Sequence, residues 1–166
     1  RSTLFPYTTL FRSESGVSNT RRYFDEAGIH YSGLGSNSSS ALAPYRTSIK
    51  GTPYSFLAMT SIGGEQHATN YVAGTNKGGA AYIEATAEAR QAIGVERGAG
   101  YATILQTHIG DEYTCEPSAF AMKWMKFGAD AGADLVVAHH THVAQGFGMH
   151  RGVLLIHSLG NLFFDQ

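Results

Sequence analysis

The sequence predicts an α/β protein with mixed parallel and antiparallel sheets. The C-terminal half contains, in order, an apolar strand, a helix and a second apolar strand, at residues 101–107, 117–131 and 135–138. This order is that of a βαβ unit, whose two strands run parallel. The apolar stripe of its helix is expected to contain Phe120, Trp124, Phe127 and Ala131. Two pairs of β-rich runs flank short turns, at 45–49 with 54–60 and at 144–149 with 153–157. Because such pairs form antiparallel hairpins, the sheets should be mixed.

The composition is that of one packed globular domain. Of 166 residues, 43% are hydrophobic and only 15% are charged, and a chain of this size buries roughly 70% of the surface that it exposes when unfolded. The 12 Lys and Arg residues nearly balance the 13 Asp and Glu residues, and the net charge is -1. Without a basic excess, nucleic acid is not an expected partner. The single cysteine, Cys115, excludes an internal disulfide, and no apolar run approaches the ~20 residues of a transmembrane helix.

The first thirteen residues are expected to be foreign to the protein. Residues 3–13, TLFPYTTLFRS, match the in-frame translation of a widely used sequencing adapter at all eleven positions. The alternative is a natural strand, since Thr, Phe and Tyr favour strands. An identity of that length to a synthetic string rarely arises by chance. We therefore expect residues 1–13 to be adapter-derived, residues 14–166 to form the domain, and the natural protein to begin upstream of Glu14.

Deletion of residues 1–13 should leave the thermal unfolding transition unchanged or raise it slightly. An adapter translation was never selected to pack, so its removal costs no evolved contact. Thermal unfolding of the chain with and without the segment measures this. A loss of more than ~2 kcal/mol, the scale of one large buried side chain, would instead show that the segment is a natural strand.

Helix-capping residues and helix propensity predict the elements between residue 13 and the βαβ unit. A helix is expected after an N-cap at Ser18 and should end at Gly28, followed by a short strand at 29–31. Residues 61–79 are polar and Gly-rich without a clear period, which predicts a long loop. Residues 83–94 have good helix propensity and end at a glycine, which predicts a second helix.

Histidines follow both strands of the βαβ unit. His108 comes directly after the first strand, and His139, His140 and His142 come directly after the second. Because parallel strands end at the same edge of a sheet, both groups are expected at the carboxyl edge, where open α/β folds place their sites. Imidazole is a common ligand of divalent metals, and two histidines separated by one residue can turn toward one ion. The alternative is that these are loop histidines with ordinary hydrogen bonds.

Two further polar residues are candidates for a role at this edge. Glu112, in the segment THIGDEY, is expected to orient a ligand histidine or to act as a general base, although a polar turn is the simpler interpretation. Asn161, in SLGNLFFD, is a candidate donor to a bound oxyanion, whereas the two phenylalanines that follow are expected in the core.

Three separated motifs carry a family resemblance. They are ILQTHIGDEY, GADLVVAHHTHVAQG and LIHSLGNLFFD, and they resemble, in order and spacing, the bacterial capsule synthesis protein family of CapA type, whose members act in poly-γ-glutamate biosynthesis. The resemblance extends back through NTRRYFDEAGIHYSGLGSN and NKGGA. It implies a metallophosphatase-like fold, a four-layer α/β/β/α sandwich with two mixed sheets and a two-metal site at one edge.

The resemblance also implies roles for individual residues. The divalent ions, which are Mn, Zn or Fe, would be held by His108, His140 and His142. His139 precedes the ligand pair and is an outer neighbour, and we group it with Glu112 and Asn161 as the candidate catalytic residues.

The sequence departs from the family pattern in two respects. Ala138 stands where Gly is usual, Thr141 where Pro is usual and His157 where Tyr is common, and none of these removes a ligand. The larger departure is at the front, because the family's Asp and Asp/His ligands and its Asn-Asn-His motif should precede Glu14 and have no counterpart here. The chain is therefore expected to be a fragment that carries half of the metal site and has little activity alone.

The function implied is capsule or poly-γ-glutamate synthesis, with metal-assisted hydrolysis or transfer at a phosphoester. Its partners would be an anionic polymer or phosphoester substrate and the capsule export proteins of the membrane, in an extracytoplasmic setting. A second hypothesis is a non-catalytic component that holds the polymer or assists assembly. A third, an unrelated structural zinc module, is weakened by the lack of a fourth nearby ligand.

Overall fold

The computed structural model describes residues 14–62 and 71–161. Its helices are α1 (Glu14–Glu26), α2 (Ser38–Ala41), α3 (Thr86–Gly98) and α4 (Ala119–Ala131). Its strands are β1 (Leu34–Gly35), β2 (Tyr45–Ile49), β3 (Thr52–Ser61), β4 (Gly79–Ala80), β5 (Ala102–Ile109), β6 (Leu135–His139), β7 (Phe147–His150) and β8 (Val153–Ile156).

A mixed six-stranded sheet forms the centre of the molecule, in the order β2-β3-β5-β6-β8-β7. The four inner strands, β3, β5, β6 and β8, run parallel to one another. The two edge strands are antiparallel to their inner neighbours in hairpins, β2 with β3 and β7 with β8. Strands β1 and β4 form a separate antiparallel pair. The predicted α/β class with mixed pairing is thereby confirmed, and the sheet with its helices is consistent with a metallophosphatase-like fold.

The βαβ unit consists of β5, α4 and β6, as predicted. Helix α4 begins after Ser118, whose side chain accepts a hydrogen bond from the Ala121 amide, and it ends at Gly132, which has φ of 118°. The buried face differs from the predicted stripe, because Phe120 is 41% exposed. At 100° per residue, Phe120 lies on the flank of the buried face rather than at its centre. That face contains Ala121, Trp124, Met125, Gly128 and Ala131.

The two faces of the large sheet differ in burial. One face packs against α3 and α4 and forms a single core with them. Four side chains of this face are in register on adjacent strands and are at most 2% exposed: Leu57, Leu105, Val136 and Leu155. The opposite face carries half-buried apolar side chains in register: Phe56, Ile104, Leu135 and Leu154. Its edge strand presents Phe147 and Met149, which are 76% and 66% exposed. The helical layer therefore covers one face of the sheet.

The N-terminal elements differ from the predictions in their limits. Helix α1 already spans Glu14–Glu26, so it begins before the proposed N-cap at Ser18. Residues 29–31 are not a strand, and there the His30 ring stacks on Tyr45 with centroids 4.6 Å apart. Within the expected 61–79 loop, residues 71–79 include bridge pairs, whereas 63–70 lie outside the described residues.

Helix α3 continues to Gly98, four residues beyond its predicted end at Gly94. The reason is tertiary, because the last turn carries the buried Glu96. Its carboxylate accepts hydrogen bonds from Arg46 Nε at 2.7 Å and Nη2 at 2.6 Å. These bonds hold the pKa of Glu96 below its usual value, although desolvation opposes them. These charge-assisted bonds join the last turn of α3 to β2, across 50 residues of sequence.

The longest described helices have 13 residues. At 1.5 Å per residue such a helix spans ~20 Å, whereas a bilayer core is ~30 Å thick. Among the residues described, no helix has the length and apolar character needed to cross a membrane.

Candidate metal centre

The histidines that follow β5 and β6 lie at one edge of the sheet. His108 and His139 are register partners at the carboxyl ends of these strands. The chain then turns, and the His140 ring lies 4.8 Å from the His108 ring, centroid to centroid. The His140 and His142 rings are 6.0 Å apart. Parallel pairing of β5 with β6 therefore brings the two groups together.

The most compact donor group at this edge is Glu112, His140 and His142. One ligand atom from each residue lies within 4.8 Å of the others. Glu112 Oε1 is 4.0 Å from His140 Nε2 and 3.9 Å from His142 Nε2. Ligands at 2.0–2.1 Å around a tetrahedral ion would be ~3.4 Å apart, so a small movement closes the group. Glu112, with 52% of its side chain exposed, is free enough to make that movement.

The donor set itself suits a divalent transition metal. Two imidazoles and a carboxylate are ligands that Zn, Mn and Fe accept. The group differs from the predicted ligand set in one member, since Glu112 joins the histidine pair and His108 lies beside it. The ligand roles of all four residues stay predictions.

Two loops are tied together to form this group. The Tyr113 amide donates to the Thr141 carbonyl at 2.8 Å, and the Gln145 carboxamide donates to the Thr114 carbonyl at 2.8 Å. These bonds hold the loop after β5 against the loop after β6. Gly110, at φ of 120°, sits where an added Cβ would lie 3.0 Å from Thr141. The close approach of the loops therefore favours glycine at this position.

Both histidines of the compact group have left-handed backbone conformations. His140 has φ of 101° and His142 has φ of 63°. Residues with side chains adopt this region at a cost of order 1–3 kcal/mol, and such strain is concentrated at functional sites. The surrounding bonds therefore hold the two rings in place against a local preference for another backbone conformation.

The His142 ring is held on two sides. Its Nδ1 lies 3.1 Å from Asn161 Oδ1, and the Tyr113 ring stacks on it with centroids 5.7 Å apart. Sequence reasoning named Asn161 as an oxyanion donor, whereas the structure places its carboxamide against His142. The role of Tyr113 was missed, although its position next to Glu112 in THIGDEY was the available signal.

Three imidazoles at this edge, those of His108, His139 and His140, favour the neutral form. Desolvation, followed by repulsion from His140, His139 and His142, lowers the pKa of His108 to about 4. His108 is nonetheless exposed, and water limits this effect without changing its direction. Desolvation also lowers the pKa of His139 and of His140, and Glu112 partly opposes the shift at His140. Neutral imidazoles are the form that binds metals.

Stability of the metal-free chain should fall as the pH is lowered from about 6.5 toward 4. The unfolded histidines titrate near 6.5, but His108 in the folded chain titrates at about 4, so only the unfolded chain takes up the proton in this window. The stabilisation is complete above pH 6.5 and is lost as the pH approaches the folded pKa. Urea unfolding at about pH 7 and about pH 5 measures the loss.

The His108→Gln variant is the control for this pH effect. It should lose less stability between the two pH values, while His139 and His140 keep part of the dependence. Glu96 and Asp130 have lowered pKa values, so their contributions are lost only in more acidic solution. An unchanged pH dependence in His108→Gln would show that folding does not lower the pKa of His108, and would contradict this prediction.

The comparisons with known proteins agree with the sequence motifs. The family model "Bacterial capsule synthesis protein PGA_cap" matches residues 9–166. The chain belongs to this family. Two curated CapA proteins of Bacillus are similar to it as well. The "Capsule biosynthesis protein CapA" of Bacillus anthracis is 29% identical over 154 residues, which cover 91% of this chain and 36% of that protein.

The second relative is the "PGA biosynthesis protein CapA" of Bacillus subtilis (strain 168). It is 38% identical over 63 residues, which cover 38% of this chain and 17% of that protein. The chain thus spans about a third or less of the curated relatives that it matches. The assignment to the CapA-type capsule and poly-γ-glutamate biosynthesis family, made from the three motifs, is confirmed.

Proposed function

We propose that Glu112, His140 and His142 hold a divalent metal ion, and that the complete protein uses it for metal-assisted hydrolysis or transfer in capsule polymer biosynthesis. The observation that carries the proposal is the convergence of three ligand atoms within 4.8 Å at the carboxyl edge of the sheet. That edge is where open α/β folds bind ligands. Desolvation lowers the pKa values of His108, His139 and His140, which favours the neutral imidazoles that bind metals.

Each side chain has a distinct task in this proposal. His140 and His142 would bind through Nε2, the atoms nearest Glu112, and Glu112 would bind through a carboxylate oxygen. A bound divalent ion supplies Lewis acidity toward an oxygen of the substrate. His108 and His139 offer two more imidazoles at the same edge, where a second ion would be held together with residues of the complete protein. Mn, Zn or Fe suits this donor set.

The family names and the fold support a substrate class without identifying a substrate. The relatives are named for capsule and PGA biosynthesis, and a phosphoester is suggested by analogy with the metallophosphatase-like fold alone. We propose an anionic polymer or phosphoester as the substrate and capsule export proteins as the partners. The proposed setting is extracytoplasmic and membrane-associated. The net charge of -1 gives no overall electrostatic attraction to a phosphate backbone, and nucleic acid is not part of the proposal.

Metal titration and phosphodiesterase assays together test the proposal. Calorimetric titration of this chain with Mn²⁺ or Zn²⁺ should give one weak site, and a phosphodiester substrate should be turned over only by a protein of the relatives' full length. Efficient in-line displacement needs two ions, each held by a full set of protein ligands, and this chain alone is proposed to supply only part of that set. Two tight sites and full turnover from this chain alone would contradict the proposed division of the site.

The same assays, together with a measurement of anionic-polymer retention, separate the enzyme from the binding component. Metal binding with turnover by the full-length protein supports the hydrolase. Metal binding without turnover, together with retention of an anionic polymer, would instead support the non-catalytic component. Absence of metal binding from both forms would contradict both functions.

A further inference from the structure

We propose that Asn161 is a positioning residue that fixes His142 in one tautomer, the form with the proton on Nδ1 and the lone pair on Nε2. This inference rests on the proposed metal centre, because it explains how His142 is made ready to bind an ion. It assigns Asn161 a role different from the oxyanion donor expected from sequence.

The hydrogen-bond geometry sets the proton position. Asn161 Oδ1 lies 3.1 Å from His142 Nδ1. A carboxamide oxygen only accepts hydrogen bonds, so Nδ1 must carry the hydrogen. A neutral imidazole has one such hydrogen, which leaves Nε2 as the atom with the lone pair. Nε2 is also the atom 3.9 Å from Glu112 Oε1, at the centre of the donor group.

Backbone pairing and a tight turn place Asn161 next to the His142 ring. The Gln145 amide donates to the Ser158 carbonyl at 3.1 Å, and Ala144 and Leu159 form an antiparallel bridge. The segment before Asn161 therefore runs against the segment just after His142. Gly160 has φ of 67°, and a Cβ there would lie 2.9 Å from the Ala144 amide nitrogen. This turn brings Asn161 back onto the ring.

Stacking adds a second constraint on the same ring. Tyr113 lies against His142 at an interplanar angle of 25°. The stacked Tyr113 ring restricts tilting of the His142 ring out of its plane. The bond to Asn161 restricts rotation of the His142 ring about its Cβ–Cγ bond. Metal-binding histidines commonly donate their other ring N–H to an oxygen acceptor, and loss of that acceptor typically costs 10–100-fold in metal affinity.

Two variants at position 161 separate the acceptor role from other roles. Asn161→Asp keeps an oxygen acceptor and removes the amide donor, whereas Asn161→Leu removes both. If the carboxamide were turned so that its NH₂ donated to Nδ1, the proton would sit on Nε2, and Asn161→Asp would disrupt the contact. Asn76→Leu, at an exposed asparagine of another loop, is the matched control.

The direct test is ¹⁵N NMR of the His142 ring in the metal-free 166-residue chain at mildly alkaline pH. We expect the Nδ1-protonated form in the unmodified chain, in Asn161→Asp and in Asn76→Leu, and a loss of that preference in Asn161→Leu. Zn²⁺ titration of the same proteins should give similar affinities for the first three and a ~10–100-fold weaker affinity for Asn161→Leu.

The outcomes distinguish this inference from the proposed function. An Nε2-protonated ring in the unmodified chain, or an Nδ1-protonated ring in Asn161→Leu, would overturn the inference even if zinc binds. If the ring shows the expected Nδ1-protonated form but none of the proteins binds zinc, the metal centre is contradicted and the tautomer assignment stands. Equal zinc affinity in Asn161→Leu and the unmodified chain would also overturn the positioning role.

Discussion

Replacement of His140 by alanine is expected to weaken Zn²⁺ or Mn²⁺ binding by ~100-fold or more, because loss of a ligand should exceed the 10–100-fold effect of losing a residue behind a ligand. His140 is central to the group, since its ring neighbours both His108 and His142 and its Nε2 lies 4.0 Å from Glu112. Its side chain is only 12% exposed, so it lies inside the group rather than on the surface. Calorimetric titration of the 166-residue chain measures the effect.

The matched control is His150→Ala. His150 lies on β7, and its Nε2 contacts Asp130 at 2.9 Å at the opposite edge of the sheet. This variant should bind metal as the unmodified chain does. Equal losses in both variants would indicate binding to scattered surface histidines, and the proposed centre would be wrong.

Replacement of Leu105 by alanine is expected to destabilise the fold by ~3–5 kcal/mol. Leu105 is fully buried on β5, in register with Leu57 on one side and Val136 on the other. Its removal leaves a cavity between the sheet and α4 in addition to the lost transfer free energy. Denaturant unfolding gives the change, and Gln106→Ala, at the next and exposed position, should stay within ~0.5 kcal/mol of the unmodified chain.

Gly128 offers a sharper test of the same contact. An added Cβ there would lie 2.4 Å from Leu105 Cδ2, and its next neighbour is Val136 Cγ2 at 3.5 Å. Gly128→Ala alone should be destabilising by ~1–3 kcal/mol through overpacking. In Leu105→Ala the clashing atom is gone, and the new methyl group fills part of the cavity in a helix that favours alanine. The double variant should therefore be less destabilised than the sum of the two single variants. Additive effects would contradict this packing.

The C-terminal half could be predicted because local signals and topology agree there. The strand at 101–107, the helix from 117 and the strand at 135–138 each have one dominant period, and their order permits parallel pairing. The structure extends β5 to Ile109 and β6 to His139. These small extensions place the first histidine of each motif inside its strand.

The N-terminal half was less predictable because tertiary contacts override local signals. Gly94 is a reasonable helix end by propensity, but Glu96 buried against Arg46 carries α3 onward to Gly98. The segment at 29–31 has strand-forming residues but pairs with no strand among the residues that the structure describes, and its His30 ring stacks on Tyr45. Neither interaction joins residues close in sequence.

The site was predictable only to the level of a shared sheet edge. Topology alone brings His108 next to His140, since the strands that precede them are neighbours. The contact between Glu112 and the two histidines depends on the bond from Tyr113 to Thr141, which joins two loops. The bond between Asn161 and His142 joins residues 19 positions apart in sequence, and it depends on the turn at Gly160. Loop geometry of this kind leaves no periodic signal in the sequence.

The most direct test of the metal centre is anomalous diffraction from crystals of the chain grown with Zn²⁺ and measured on both sides of the zinc absorption edge. We expect one anomalous peak, ~2.0–2.2 Å from Nε2 of His140, Nε2 of His142 and a carboxylate oxygen of Glu112. A peak held by other side chains, or none at this edge of the sheet at saturating zinc, would contradict the account.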